Sequence, residues 1–295
     1  MVARRYYEVR GWLLASPYLV YTVVFFLVPI VWALWLAGME WNLISPRRTW
    51  VGLKNLMEAL GSPRVWAAFI NSYKFLLFFL PVVLVLAVSI ALLVNSLPWG
   101  AHWYTVLFFL PYLASGVATS LVAEGLIAVN GPLNLWLVRT FGFRPPWLES
   151  PGWATAIIVA LIAWKFAGYY ALIYLAALRS IPRDLYEAAA IDGAGPWTRF
   201  WRITWPNLYP ATFTVVVLAV GLMFGIFTEP YVLTRGGPNL ATHTWHLEIY
   251  HQAFANFRAG YASAVALLNA VCTFVGVAVV RWIMQRWGRA HGYEA

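Results

Sequence analysis

Charge is scarce in this 295-residue sequence: charged residues make up 11% of it, against roughly a quarter in an average soluble domain. Cysteine is almost absent too, and the single Cys272 excludes an internal disulfide framework. Hydrophobic residues reach 62% and the mean hydropathy is +0.70. A soluble chain of this length has too little interior to hide so much apolar surface. Composition therefore excludes a soluble enzyme, a disordered chain and a secreted disulfide-rich protein, and it predicts a polytopic membrane protein of all-α class.

Six apolar segments are long enough to cross the hydrocarbon core of a bilayer, which takes about 20 helical residues. They run approximately from Gly11 to Gly38, Phe69 to Asn95, Trp103 to Val129, Trp153 to Leu178, Leu208 to Thr228 and Tyr261 to Val280. The first segment is too long for the apolar core of a cleaved signal peptide, so we interpret it as a membrane helix. The expected organisation is one transmembrane domain over residues 1–295.

The net charge of +9 does not indicate nucleic-acid binding, because no run of basic residues is interleaved with aromatics to form a binding face. In so apolar a chain, arginines more commonly hold the ends of loops at anionic lipid headgroups. The positive-inside rule favours cytoplasmic termini by a small margin.

The most informative segment joins the fourth and fifth spans, at about 179–207. Good helix formers from Leu185 to Ile191 predict a short helix. The segment Gly193 to Pro196 predicts its end, because glycine accommodates a left-handed residue and proline starts a new helix. A second short helix is expected from Trp197 to about Thr204. The pattern indicates a helix-turn-helix at the membrane surface with exposed aromatic side chains.

Several residues of this loop resemble, in identity and spacing, the EAA motif of ABC importer permeases. The matching positions are Glu187, Ala188, Ala189, Gly193, Ile203 and Pro206. The sequence departs from the motif at Trp205, where the family usually has leucine. Four other segments look like their counterparts in sugar-type permeases. They are Trp50 to Leu56, Leu110 to Tyr112 in span three, Leu178 to Pro182 before the loop, and Leu233 to Pro238. The last resembles the LTxGGP turn of the MalF-like half of carbohydrate and glycerol-phosphate importers.

The resemblance implies a type I ABC importer permease fold and a role in moving a sugar across the cytoplasmic membrane, without enzymatic activity. The sugar would be a disaccharide or oligosaccharide such as maltose or trehalose, or glycerol 3-phosphate. The implied partners are a second, MalG-like permease subunit, two ABC ATPase subunits, an extracytoplasmic solute-binding protein and membrane lipid. In the family the loop is a coupling helix seated on the ATPase, which makes the loop and both termini cytoplasmic. The implied coupling residues are Glu187, Ala188, Ala189, Asp192, Gly193, Ile203 and Pro206.

The sequence contains no G-x-x-x-x-G-K-[ST] motif, the glycine-rich loop that cradles nucleotide phosphates. We therefore expect no cofactor on this chain, and we expect ATP and Mg to be used by the partner ATPase subunits.

Polar and aromatic residues of spans four and five are candidates for the substrate pathway. Lys165 lies in the middle of span four, where insertion of a lysine costs about 2.5–3.5 kcal/mol. It is expected either to contact a polar substrate or to pair inside the bundle, for example with Glu124. Sugars pack against aromatic faces, and by its distance from the loop Tyr169 corresponds to a substrate-lining position of the MalF-like family. The candidates are Tyr169, Trp164, Lys165, Phe224, Phe227, Thr228 and Glu229, the last of which could equally lie at the membrane interface.

Four potential metal ligands crowd one outer segment: His243, His246, Glu248 and His251. They do not fall on one narrow helical face, so a polar outer helix is expected there and a metal site is not. Two other functions stay open. A stand-alone secondary transporter or channel is disfavoured by the few carboxylates at membrane depth, and an ABC permease for a non-sugar solute such as amino acids is disfavoured by the LTxGGP-like turn.

Overall fold

The computed structural model describes residues 2–42, 44, 47–290 and 292, and most of them are helical. The first elements are α1 (Val2–Thr22), a π-helical turn (Val23–Leu27), α2 (Val28–Ala37), β1 (Met39–Glu40), β2 (Thr49–Trp50), α3 (Lys54–Gly61), α4 (Pro63–Ser96), α5 (Ala101–Leu113), α6 (Gly116–Ile127) and α7 (Pro132–Phe141). The remaining elements are α8 (Pro151–Ser180), α9 (Arg183–Ile191), α10 (Pro196–Arg199), a π-helical turn (Phe200–Thr204), α11 (Trp205–Asn207), α12 (Tyr209–Phe224), α13 (Thr228–Leu233), α14 (Trp245–Tyr250), a π-helical turn (His251–Ala255) and α15 (Ala259–Ala290).

Within the described residues, six segments are long and apolar enough to span a membrane. They are Gly11–Ala37, Pro63–Ser96, Gly116–Phe141, Pro151–Ser180, Tyr209–Leu233 and Ala259–Ala290. Five of them overlap the expected spans closely, which confirms the all-α prediction. The third differs from the expected Trp103 to Val129, because the helix breaks at Ala114 and Ser115, between α5 and α6. The break places the start of the third span at Gly116, and the span then comprises α6 and α7.

The chain divides into two compact units, Met1–Val65 with Glu248–Leu268 and Trp66–Leu247 with Asn269–Ala295. In the first unit, β1 and β2 form a short antiparallel hairpin. The buried Asn55 of α3 donates hydrogen bonds of 2.9 Å to the carbonyls of Ala37 and Met39. These bonds fix the hairpin to α3 because they satisfy the carbonyls of two buried residues, one at the end of α2 and one in β1.

In the second unit, α8 is the central helix. Its buried small residues allow close helix approach, which is the main source of helix association in lipid. The closest approach is at Gly168, where an added Cβ would lie 1.8 Å from the carbonyl oxygen of Phe108 in α5. Elsewhere on α8, the fully buried Tyr174 donates a 3.1 Å hydrogen bond to Oγ1 of Thr212 in α12, so its phenol is satisfied. The packing of α5 and α12 therefore depends on the surface of α8.

The loop 234–244, which follows α13, is fastened to α4 within the same unit. Asn71 Nδ2 donates hydrogen bonds to the carbonyls of Leu240 at 2.7 Å and of His243 at 2.8 Å. Lys74 Nζ donates to the carbonyl of Ala241 at 2.5 Å. Two side chains from α4 thus donate hydrogen bonds to three carbonyls of the loop and hold the loop to the helix.

Candidate functional site

The loop between spans four and five is built as the sequence predicts. The first helix, α9, ends where Gly193 takes a left-handed conformation with φ of 77°. The amide of Ala194 donates to the carbonyl of Ala189 at 2.8 Å, which closes the helix with the bond expected after a left-handed glycine. Pro196 then begins the second helical stretch, which continues to Asn207. The predicted helix-turn-helix is confirmed.

The inner side of this loop is anchored to the bundle. The hydroxyl groups of Tyr186 and Thr204 share a 3.0 Å hydrogen bond, which ties the first helix of the loop to the second. Phe200, Ile203 and Trp205 are partly buried and pack against the core of the second unit. The loop is therefore held to the bundle by apolar contacts, and its two helices are held to each other by one polar contact.

The outer side of the loop exposes apolar residues. The exposed fraction is 88% for Ile191, 74% for Trp197, 47% for Trp201 and 44% for Leu185. Glu187 is exposed among them, and within the described residues it has no hydrogen bond or ion pair. Large exposed apolar side chains in a protein outside its membrane spans mark an interaction surface.

The expected coupling residues are divided between these two sides. Ala188, Asp192 and Gly193 are exposed like Glu187, and Ala189 is half-buried beside them. Ile203 and Pro206 are half-buried in the second helical stretch. The exposed members of the set lie near the turn, whereas Ile203 packs against the core of the second unit.

An ion pair lies inside the bundle. Lys165 Nζ of α8 is 3.7 Å from Glu229 Oε1 of α13, and both residues are buried. The expectation that Lys165 would pair inside the bundle is therefore confirmed, but the suggested partner Glu124 is wrong. Glu124 is exposed on α6, because the helix turns its buried face, with Ala123 and Ile127, away from that side chain. Glu229 is thus buried within the protein.

The ion pair is located where two helices are interrupted. The start of α6 at Gly116 follows the break at residues 114–115, and a second break separates α12 from α13 at residues 225–227. A Cβ added to Gly116 would lie 3.1 Å from Thr228 Cγ2, 3.2 Å from Lys165 Nζ and 3.3 Å from Glu229 Oε1. Non-helical backbone at membrane depth is tolerated only inside protein or around a polar cavity. We call Gly116, Lys165, Thr228 and Glu229 the polar centre.

Aromatic rings lie on the helix face next to the polar centre. Tyr169 follows Lys165 by one turn of α8 and therefore shares its face. Its ring stacks on that of Tyr112 in α5, with centroids 4.6 Å apart and planes at 15°, and Phe166 lies edge-on to both rings. Tyr112 was not among the predicted site residues. The available signal was the resemblance of Leu110 to Tyr112 to the corresponding segment of sugar-type permeases.

The other predicted pathway residues are more dispersed. Trp164 is 53% exposed and lines an apolar groove of about 900 Å³ formed by α4, α5 and α8. Phe224 is fully buried, edge-on to Tyr73 at 5.2 Å. Phe227 is half-buried and stacks on Tyr231 at 5.1 Å. The structure thus brings together Lys165, Thr228 and Glu229, with Tyr169 alongside, and places Trp164 and Phe224 in other surroundings.

The histidine-rich outer segment forms no metal-binding group of three or more ligands within the described residues. His243 is buried, and its carbonyl accepts the hydrogen bond from Asn71. Burial lowers the pKa of His246, against the opposing effect of a hydrogen bond to the backbone of Phe224. Glu248 is fully buried and accepts a 2.8 Å hydrogen bond from Gln252 Nε2.

Comparison with known proteins agrees with this architecture. The family described as binding-protein-dependent transport system inner membrane component matches residues 2–289. The lactose transport system permease protein LacF of Rhizobium radiobacter is 33% identical over 287 residues, covering 92% of this chain and 94% of LacF. The sn-glycerol-3-phosphate transport system permease protein UgpA of Escherichia coli O6:K15:H31 is 32% identical over 260 residues, covering 87% of this chain and 88% of UgpA.

A solved structure has the same fold. A chain in the crystal structure of a bacterial ABC transporter involved in the import of the acidic polysaccharide alginate superposes with a TM-score of 0.81. It is 23% identical, and the superposition covers 96% of this chain and 99% of that one.

A helical, multi-pass protein with an exposed surface loop and a buried polar centre has the features of a membrane transport subunit. The chain belongs to the family of binding-protein-dependent transport system inner membrane components. It is therefore an ABC transporter permease subunit of the inner membrane and not an enzyme, as the sequence predicted.

Proposed function

We propose that this chain is the membrane-spanning subunit through which an ATP-driven importer passes a sugar into the cell. The observation that carries the proposal is the exposed outer side of the loop between spans four and five, where Glu187 lies among Ile191, Trp197 and other exposed apolar residues. These residues need a protein partner to cover them. The transport of lactose by LacF and of sn-glycerol 3-phosphate by UgpA supports a sugar-type solute.

The loop transmits force from an ATPase subunit. Glu187, Ala188, Ala189, Asp192 and Gly193 form the part that meets the ATPase, and Ile203 and Pro206 hold that part to the bundle. ATP and Mg are bound by two ATPase subunits, and a second permease subunit and an extracytoplasmic solute-binding protein complete the importer. The loop and both termini then face the cytoplasm.

The solute passes the polar centre. Lys165 Nζ, the Glu229 carboxylate and the Thr228 hydroxyl offer hydrogen bonds to sugar hydroxyls, and the stacked Tyr112 and Tyr169 offer an apolar platform. Trp164, Phe224 and Phe227 are the remaining pathway candidates, and their packing makes them supports for this region.

The coupling role is tested in the complete importer reconstituted in proteoliposomes. The variant Glu187→Gln removes the negative charge and keeps nearly the same side-chain shape. It should reduce ATP-driven sugar uptake by at least about tenfold, because one charged contact at the interface is lost. The matched control Asp184→Asn removes an exposed carboxylate from the first turn of the same helix and should change uptake less than about twofold. Unchanged uptake by Glu187→Gln would contradict the coupling role.

The substrate class is tested with a solute panel in the same preparation. Stimulation of ATPase activity by a sugar and its binding protein is expected, whereas stimulation by amino acids alone would overturn the sugar assignment. Solute flux through the purified chain without any ATPase subunit, driven by an ion gradient, would instead identify a secondary transporter.

A further inference from the structure

We propose that the Lys165–Glu229 pair makes this permease selective for an uncharged solute. The inference rests on the proposed function, because it specifies which sugars the polar centre accepts. It starts from the two charges of the pair, which sum to zero in a buried place.

The pair accounts for the buried acidic charge of the spans. The six spans contain two acidic side chains, Glu124 and Glu229, and only Glu229 is buried. Among the basic side chains, Lys74 donates to the carbonyl of Ala241, so its ammonium has a partner outside the polar centre. The polar centre therefore has one buried cation and one buried carboxylate, and an entering solute meets no net charge.

The geometry leaves both groups able to bind hydroxyls. The 3.7 Å separation of Lys165 Nζ and Glu229 Oε1 is longer than a hydrogen bond, and within the described residues neither side chain forms one. An ammonium group has three donors and a carboxylate accepts through two oxygens. Sugar hydroxyls both donate and accept, so they can bind to the two groups at once without separating the charges.

A charged solute would disturb this balance. A phosphate or uronate group would compete with Glu229 for Lys165 and leave a buried carboxylate without its cation, and an amino sugar would do the converse. Removing one partner from a buried ion pair is strongly unfavourable because the remaining charge stays desolvated. Uncharged sugars avoid this penalty.

The names of the related transporters include both uncharged and anionic solutes. Lactose, carried by LacF, is uncharged, whereas sn-glycerol 3-phosphate and the acidic polysaccharide alginate are anionic. The neutral polar centre assigns this chain to the first kind.

The test is direct binding of matched sugars to the complete importer in lipid nanodiscs, without the solute-binding protein so that its own selectivity does not contribute. The probes are trehalose with trehalose 6-phosphate, and maltose with maltose 1-phosphate. In the wild type, the uncharged member of each pair should bind at least about tenfold more tightly. The variant Glu229→Gln leaves Lys165 unbalanced and should shift the ratio of affinities about tenfold towards the phosphorylated sugars.

Two further variants separate the effect of net charge from the effect of changing a side chain. The double variant Lys165→Gln with Glu229→Gln has no net charge and should restore the preference for uncharged sugars. The variant Glu124→Gln makes the same chemical change on the exposed face of α6 and should leave the ratio as in the wild type.

Each outcome has a definite meaning. If Glu229→Gln assembles and the ratio does not move, the inference is wrong while the proposed sugar function stands. If Glu229→Gln does not assemble, the wild-type panel decides, and tighter binding of the phosphorylated sugars overturns the inference. If the wild type binds no sugar of either charge, the inference is overturned, and the proposed function is decided separately by stimulation of ATPase activity in the presence of the solute-binding protein.

Discussion

Two regions of the molecule place residues in surroundings opposite to their usual ones. One is the loop between spans four and five, and the other is the polar centre. In the loop, Ile191 and Trp197 are exposed although they are apolar, and in the polar centre Lys165 and Glu229 are buried although they are charged. In the polar centre the two buried charges compensate each other within the chain, because they are neighbours. The loop finds no such cover among the described residues of its own chain. The mismatch in the polar centre is therefore satisfied inside the chain, whereas the exposed side of the loop is the surface that we propose a protein partner covers.

The largest effect is expected from the helix contact beside the polar centre. In Gly168→Ala the new Cβ would lie 1.8 Å from the Phe108 carbonyl oxygen, so α5 must move away from α8. Overpacking of this kind costs about 1–3 kcal/mol or more. The thermal stability of the purified importer should fall markedly. Gly152→Ala in the same helix, where nothing lies within 4 Å of the added Cβ, is the control. Equal melting temperatures for the two variants would contradict the close packing.

The next effect concerns the uncovered side of the loop. Trp197→Ser should leave the permease folded, because the side chain is 74% exposed. It should weaken binding of the ATPase by about 2 kcal/mol, a typical loss for an aromatic anchor at an interface. Titration of the ATPase subunit onto the permease in nanodiscs measures this. Trp99→Ser, which alters an 84% exposed tryptophan outside the loop, should bind normally. A similar loss in both variants would show that the loop is not the docking surface.

A smaller effect is expected at the turn of the loop. Gly193→Ala places an L-residue at φ of 77°, and this costs about 1 kcal/mol although there is open space around the added Cβ. The turn should deform and reduce solute-stimulated ATPase activity several-fold, with solute binding unaffected. Gly195→Ala also has open space and has φ of −69°, so it should retain activity. Equal activity of the two variants would mean that the turn conformation is not required for coupling.

The smallest effect is expected from the bond that joins the two helices of the loop. Tyr186→Phe removes the hydroxyl that bonds Thr204 and should cost about 1 kcal/mol. A small decrease in the melting temperature of the permease is the expected result. Tyr104→Phe, at a tyrosine whose hydroxyl forms no hydrogen bond among the described residues, should not change it. A lower melting temperature in Tyr186→Phe alone would show that the anchored side of the loop contributes to the stability of the permease. Equal melting temperatures would contradict this contribution.

The sequence predicted best where local chemistry decides the structure. Apolar runs determine the spans, and the Gly193 and Pro196 pair determines the turn of the loop, because both act on neighbouring residues. The partner of Lys165 could not be predicted in the same way. It depends on how α6, α8 and α13 rotate about their axes, and that rotation is set by packing between distant segments. The helix break before Gly116 and the pairing of Tyr112 with Tyr169 depend on the same long-range packing.

The attachment of the loop 234–244 to α4 has a mechanical consequence. Asn71 and Lys74 lie one turn apart on an uninterrupted, 34-residue helix, and together they hold three carbonyls of that loop. The three bonds join the loop to this part of the helix, so we expect the two to tilt together. A fluorophore at Asn239 would report the inclination of the second span during each transport cycle, without any label inside the membrane.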